Sequence, residues 1–271
     1  MTSAVPPGHW CMMGATVEPS TTTASGVPYA ANGAPSQTSG RQDATASDSR
    51  ARGKRAARKR SSGRRLFAFD RRLGVRWVAG ADEAGRGCLA GPLVAAAVLF
   101  DTDALTARDL RALARLNDSK QHSVEAREEL FPIVLRTAAK VCVVSRCARG
   151  IDNRGLHKTN LAALRDALLG VARPGCICLS DGFAVDALGH EQRAIVEGDA
   201  TSAAIAAASI VAKVTRDRYM RRADALHPGW EFAAHVGYST PEHRDAIQRL
   251  GVSPLHRLSF QSTAYQQLAL S

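Results

Sequence analysis

No stretch of this 271-residue chain is apolar for long enough to cross a bilayer, which takes about 20 consecutive residues. The N-terminus has no basic segment leading into an apolar core, so no secretory signal is read there. The first arginine is Arg41, too late for an Arg-rich transit peptide. The six cysteines, at 11, 88, 142, 147, 176 and 178, form no CxxC pair, and no histidine cluster completes a zinc spacing. Most lie in apolar runs such as KVCVVS and GCICLS, where thiols act as small hydrophobes. A reducing compartment fits, and a cytoplasmic location is expected. Gly80, Gly85, Gly87 and Gly91 spell neither GxGxxG nor a Walker loop, so the glycines argue against a nucleotide cradle. No internal repeat is visible.

Positive charge is abundant but uneven. The chain carries +11 overall with a pI near 9.9, a balance that favours a polyanionic partner. Residues 1–65 hold ten Lys/Arg against three Asp/Glu, a net of +7; the remaining 206 residues hold 26 against 22, a net of +4. Those first 65 residues are rich in Ser, Thr, Ala, Pro and Gly and lack aliphatic periodicity. They bury too little apolar surface to offset ordering entropy, so a disordered extension is expected. Its basic cluster at 50–65, RARGKRAARKRSSGRR, reads as a solvated charge run or a phosphate-binding arm.

From residue 66 the pattern is globular. Strands are expected at Arg76–Ala81, Leu93–Phe100, Val141–Ser145, Cys176–Leu179 and Arg193–Glu197. Helices are expected at Ala104–Leu116, Ser123–Ala139, Leu156–Leu169 and Thr201–Ala223, with Ser123 an N-cap. A last helix begins at Thr240, with Pro241 in its first turn. Strands interleaved with helices give an α/β class with a mixed central sheet over 66–271 and a helical C-terminal portion.

Carboxylates fall at the strand ends, where α/β folds build sites. Asp82 and Glu83 follow the first strand in WVAGADEAGRGCLAGP, Asp181 follows a later strand, and Asp199 stands between a short strand and the long helix. Adjacent acids at the end of an apolar strand are costly to bury, which favours exposure or function. Four acids gathered together repel unless a cation separates them. Oxygen-only ligands suit Mg²⁺ or Mn²⁺. A regular strand points neighbouring side chains to opposite faces, so Asp82 and Glu83 share one ion only if the chain bends, as Gly85 permits. Taken singly, Asp181-Gly182 is also an ordinary turn pair and Asp199 an ordinary helix cap.

At this point the chain resembles bacterial ribonuclease HII, from about Trp77 to Phe260. The resemblance is carried by AGADEAGRG at 79–87, GPLVAAAV at 91–98, LNDSK at 116–120, LSDGF at 179–183 and EGDA at 197–200. It continues in AAASIVAKVTRDR at 206–218, HPGWEFAAHVGYSTPEH at 227–243 and HRLSF at 256–260. The resemblance implies a ribonuclease H-like fold and metal-dependent cleavage of the RNA strand in RNA–DNA hybrids. It extends to single ribonucleotides in duplex DNA, with 5′-phosphate and 3′-hydroxyl products. It implies that Asp82, Glu83, Asp181 and Asp199 hold two divalent ions, Mg²⁺ or Mn²⁺. It further implies that Gly85, Arg86 and Gly87 read the ribose 2′-hydroxyl with the support of Tyr238. Ser119, Lys120 and Lys213 are expected to hold phosphate. Asp217 is expected to pair with an arginine rather than a metal, and His256 and Arg257 to touch the DNA strand.

The chain departs from the family at two positions. Trp230 replaces a usual Tyr, and Gln121 replaces a usual Lys beside the phosphate contact. Competing readings are ribonuclease HIII, which carries a folded N-terminal domain that residues 1–65 do not resemble; a non-catalytic hybrid binder; and a basic chromatin-like protein. Four intact acids argue against a binder, and the nearly even charge of 66–271 argues against the last. A monomer without membrane contact is expected.

Overall fold

The computed structural model describes residues 10–13 as backbone only, together with 63–117, 122–260 and 265. Most of the N-terminal extension therefore lies outside the described residues, as do Ser119, Lys120 and Gln121. A short strand, β1 (Trp10–Met13), is followed by a helix, α1, over 63–71. Then come β2 (Trp77–Ala84), β3 (Leu93–Asp101), α2 (Ala107–Ala112), α3 (Val124–Thr137) and β4 (Lys140–Arg146). Next are α4 (Ala148–Arg154), α5 (Leu156–Val171), β5 (Cys176–Asp181) and β6 (Glu191–Ile195). A 3-10 turn at Gly198–Ala200 leads into α6 (Ala203–Leu226), α7 (Phe232–His235) and α8 (Pro241–Leu250).

The sheet order is β1-β4-β3-β2-β5-β6. Strand β3 runs antiparallel to both β2 and β4, while β2–β5, β5–β6 and β1–β4 are parallel. Strand alternation divides the core in two. Val78 and Ala84 on β2, with Ile177 and Leu179 on β5, pack with the buried side chains of α6. Ala79, Ala81, Cys176 and Cys178 face the other way, onto α5. Both faces of the central strands are covered, which is why β2, β3 and β5 read as nearly continuous apolar runs.

Several boundaries differ from the sequence reading, each for a local reason. Strand β2 runs on through the two acids, because Asp82 and Glu83 still pair with Ala96 and Ala95 of β3; the turn comes at Gly85, with φ +88. Helix α2 is shorter than expected. Thr106 and Asp109 form a reciprocal capping box, and the chain before them folds back on Asp101. Strand β6 lies two residues earlier than expected. The Gln192 amide there clamps the Val185 backbone from both sides, at 3.0 and 2.8 Å, and Glu197 adopts a left-handed φ of +53 beyond the strand. Strand β1 and the first residues of α1 fall within the extension expected to be disordered, and α4 and α7 also had no expected counterpart. Ser123 and Thr240 do cap α3 and α8, accepting from Ala126 and His243 N–H. Among the described residues no helix is long and apolar enough to cross a membrane. Cys88, Cys142, Cys176 and Cys178 are buried, whereas Cys147 is exposed.

The long helix rests on β2 at Gly80. A Cβ there would lie 2.2 Å from the Ala204 carbonyl carbon and 2.3 Å from Ile205 N. Only a residue without a side chain admits α6 so close. Gly80→Ala is expected to destabilise the protein by about 1–3 kcal/mol, the usual cost of overpacking. Urea denaturation checks this, and an unchanged midpoint would contradict the close approach.

Candidate active site

Parallel pairing of Ala81 with Ser180 brings the C-terminal ends of β2 and β5 side by side. By strand alternation Asp82 and Asp181 then fall on the same face of the sheet, the one covered by α6. Asp82 is only 6% exposed. Its Oδ1 accepts the Glu83 N–H at 2.7 Å, and Ser209 of α6 hydrogen-bonds to its carboxyl. Burial, then the charges of Glu83 and Asp181, push the Asp82 carboxyl well above the ordinary carboxylate range, against the lowering pull of these hydrogen bonds. Asp181 Oδ1 accepts the Gly198 N–H at 2.7 Å, which fixes the turn that carries the buried Asp199. A Cβ on Gly198 would meet Ile205 at 2.6 Å, so glycine lets this turn sit against α6.

Glu83 alternates to the opposite side of β2 and lies at the rim. Arg86 sits 3.7 Å from its carboxylate and 4.7 Å from the centroid of the Phe183 ring. Three of the four predicted acids therefore belong to the α6 side of the site, and the fourth is held beside Arg86. Among the described residues no three His, Cys, Asp or Glu side chains already enclose a single point. The donor set is nonetheless all oxygen, and a carboxyl that resists ionisation beside two other acids is a place where a hard cation is favourable.

The Gly85–Gly87 turn is held from behind by two fully buried arginines. Arg216 donates to Pro92 O, Ala90 O and Val236 O at 2.8–2.9 Å. Arg257 donates twice to Gly91 O, at 3.0 and 2.9 Å, and once to Arg86 O, at 3.1 Å. Burial draws the Arg257 guanidinium down to about 10, still cationic at neutral pH. The expectation that His256 and Arg257 touch a DNA strand is thus overturned. Both are buried, and Arg257 uses its donors on backbone carbonyls.

Tyr238 is brought to the same turn because Gly237 O accepts Leu89 N–H at 2.9 Å. The ring is 41% exposed, with the Lys213 ammonium 5.1 Å from its centroid. Its hydroxyl hydrogen-bonds with the buried Cys88 thiol, and burial raises both groups' pKa values. Lys213 is paired with Asp217 at 2.8 Å, and Arg127 stands 3.8 Å from the same carboxylate, so Asp217 pairs with cations as expected. Trp230 is structural: its indole N–H donates to Gly251 O and its ring stacks on Phe232. The sequence reading missed Ser209, Cys88 and the Arg216 staple, and it gave Arg257 a surface role rather than a buried one. The small-residue run of α6 was the available signal for Ser209, since it marks a surface something packs against.

Behind Tyr238 three imidazoles lock together. His235 Nδ1 accepts Gly237 N–H, and its Nε2–H donates to Trp230 O. His256 Nδ1 accepts Ser253 N–H, so its proton lies on Nε2 and points at His243 Nε2, 3.1 Å away. His243 then carries its proton on Nδ1 and donates to Tyr238 O at 2.8 Å. Burial pulls His243 and His256 down to about 4 from the usual 6.5.

The fold and the carboxylates at its sheet edge define a nuclease of ribonuclease H-like architecture. The structure matches that of ribonuclease H2 from Pyrococcus horikoshii with TM-score 0.59 and 26% identity, covering 71% of this chain and 96% of that one. An RNase HIII solved with Mn²⁺ matches with TM-score 0.57 at 20% identity, covering 74% and 72%, which speaks to the fold alone. The Ribonuclease HII family model matches residues 79–263. A Ribonuclease HII of Rhizobium leguminosarum is 50% identical over 197 residues, covering 72% of this chain and 82% of that one. One of Rhodococcus erythropolis is 48% identical over 190 residues, covering 70% and 81%. The chain belongs to the ribonuclease HII family. It is a metal-dependent endonuclease with ribonuclease H activity on RNA–DNA hybrids.

The imidazole lock sets a pH dependence. Because His243 and His256 titrate lower in the folded protein than when unfolded, the folded state binds fewer protons between pH 6.5 and about 4. Their contribution to stability is complete above pH 6.5 and declines as the pH falls toward 4. Imidazole ¹⁵N spectra at pH 6 should show Nδ1–H for His243 and Nε2–H for His256; an imidazolium signature at either would contradict the lock.

Proposed function

We propose that the chain incises the RNA strand of hybrids and duplex DNA at single embedded ribonucleotides, leaving 5′-phosphate and 3′-hydroxyl ends. Asp82, Glu83, Asp181 and Asp199 hold the divalent ions. The observation that carries this reading is the buried Asp82 carboxyl, beside Glu83 and on one face with Asp181, three residues before Gly85 of the Gly-Arg-Gly backbone. Two divalent cations held by these carboxylates, Mg²⁺ or Mn²⁺, would supply an activated water and charge stabilisation for the leaving 3′-oxygen.

The protein's own part is placement. Ser209 and the Glu83 amide orient Asp82, and the Gly198 amide orients Asp181. The Arg86–Gly87 peptide has its carbonyl tied inward by Arg257, so the trans geometry of the peptide turns the Gly87 N–H outward. No group crowds a Cβ position at Gly87, which leaves room for a ribose. A 2′-hydroxyl both donates and accepts, so a fixed backbone amide distinguishes RNA from DNA at this point. Tyr238, exposed beside the turn, supports the sugar. Ser119, Lys120 and Lys213 serve the phosphates. Lys213 does so from its anchorage on Asp217. The enzyme acts as a monomer.

The decisive assay is cleavage of a DNA duplex carrying one ribonucleotide, beside an all-DNA control. Incision 5′ of the ribonucleotide with Mg²⁺ or Mn²⁺ is expected, with none in chelator and none in the control; cutting of the all-DNA duplex would sink the 2′-hydroxyl reading. Asp82→Asn should lower kcat by at least about a thousandfold, several kcal/mol of lost charge stabilisation, while hybrid binding persists. Mn²⁺ should also raise the melting temperature of the wild type, since a ligand bound only to the folded state stabilises it. Asp181→Asn should show a smaller rise, and an equal rise would place the ion elsewhere.

A further inference from the structure

Helix α1 lies before the family-matched segment, which begins at residue 79, yet it meets the turn that carries Asp199 at two points. Arg65 Nη2 donates to Ala200 O at 3.3 Å, one residue after Asp199. Asp70, only 1% exposed, accepts the Ala204 N–H on Oδ2 at 3.0 Å, while its Oδ1 is buried without a hydrogen-bond partner; the Ser202 hydroxyl and the Ala203 N–H nearby favour its ionised form. Ser202 is itself the N-cap of α6 and accepts Ile205 N–H at 3.4 Å. Between them, Ser202 and a carboxylate from another helix satisfy the amides of Ala204 and Ile205 in the first turn of α6. A helix start leaves such amides without intrahelical partners.

This capping is done at a cost. Burial pushes the Asp70 carboxyl up to about 7 in spite of the groups that favour its ionised form, and its Oδ1 stays unpartnered, so the position is an unfavourable one for an acid. The first turn of α6 is what it holds. That turn is anchored on its other side by Gly80 of β2, two residues before Asp82. Leu66 and Phe67 seat α1 in the core, and Phe67 meets Phe100 of β3 edge-on at 5.3 Å. Helix α1 is thus fixed to the sheet as well as to the turn.

We infer that Asp70, with Arg65, is a positioning residue for the metal site: α1 braces the Gly198–Ser202 turn and so sets Asp199 against Asp82 and Asp181. The inference rests on the carboxylate site proposed above. It makes a helix outside the family-matched segment part of the catalytic unit of this chain.

Mn²⁺ binding to the full-length protein, measured by calorimetry or by the loss of the free-ion electron paramagnetic resonance signal, tests the brace without relying on turnover. Asp70→Leu should weaken Mn²⁺ binding about tenfold, the lower end of what removing an outer-shell partner does. Asp70→Asn, which keeps an acceptor, should restore binding to within about threefold of wild type. Phe67→Leu, on the same helix but away from the turn, should lower the melting temperature and leave Mn²⁺ binding unchanged. An Asp70→Leu protein that is folded and binds Mn²⁺ like the wild type overturns the brace. If Asp70→Leu does not fold, the Asp70→Asn, Arg65→Gln double variant decides: about threefold weaker binding supports the brace, and wild-type binding overturns it. A wild-type protein that binds no Mn²⁺ would instead sink the metal reading from which the brace starts, a failure seen before any variant is compared.

Discussion

The close approach of α6 to the central strand is the constraint on which the rest of the site depends. Gly80 and the run of alanines and serines opening α6 let two backbones meet where ordinary side chains would hold them apart. The nearness has chemical consequences. It puts Ser209 against Asp82, and it sets the 3-10 turn of Asp199 over the end of β5, where Gly198 N–H meets Asp181. A bulkier helix would still pack against a sheet, but it would carry its acids away from those on the strands. The low side-chain volume of α6 is therefore part of how the acids come near one another.

A second constraint comes from the two buried arginines. Neither Arg216 nor Arg257 directs its hydrogen bonds to an acid; together they bind the carbonyls of Arg86, Ala90, Gly91, Pro92 and Val236. A carbonyl carries only a partial charge, so desolvating a guanidinium there is offset mainly through several hydrogen bonds made at once. What the arrangement secures is backbone orientation over a segment too irregular for a strand or helix to define. Where glycines leave φ and ψ free, something outside the segment must choose among the accessible turns. Here the choice is made by side chains from α6 and the C-terminal unit, which joins the helical portion to the Gly85–Gly87 turn.

The sheet and the acids at its strand ends were legible in the sequence because an apolar strand rarely ends in carboxylates unless they face solvent or serve a site; Asp199, in the 3-10 turn, was legible from the ribonuclease HII motifs. The strand cores were readable for a related reason, since alternation and burial leave a direct trace. Boundaries were less so. The length of β2 depends on its pairing with Ala95 and Ala96, and the register of β6 on a clamp between Gln192 and Val185, both non-local. Arg257 shows the same limit more sharply. In sequence, HRLSF holds a basic residue near a terminus, which reads as a surface contact to DNA. Its burial follows from the Gly91 and Arg86 carbonyls, far away along the chain, and nothing local announces them. Helix α1 was hidden by its place at the end of a basic, low-complexity run, although Leu66, Phe67 and Asp70 are all buried.

Charge balance at the rim couples Arg86 to the neighbouring acids. The catalytic domain is only mildly basic, so attraction to a polyanion is not supplied by bulk charge and must be local. Arg86 is one such local cation, and it is not a free one: the Glu83 carboxylate lies 3.7 Å away and the Phe183 ring sits under its guanidinium. The same residue therefore offsets repulsion among the acids and stands in the turn whose backbone faces outward. Phe183 in turn meets His157 of α5 edge-on at 5.4 Å, so the Arg86 position is coupled to both the β5 end and the helix on the far side of the sheet. Screening weakens an exposed pair of this kind, and a phosphate backbone arriving at the rim would compete with Glu83 for the same guanidinium. Any movement of Arg86 toward a phosphate would remove the neutralising neighbour of the Glu83 carboxylate and make the local potential more favourable to a cation.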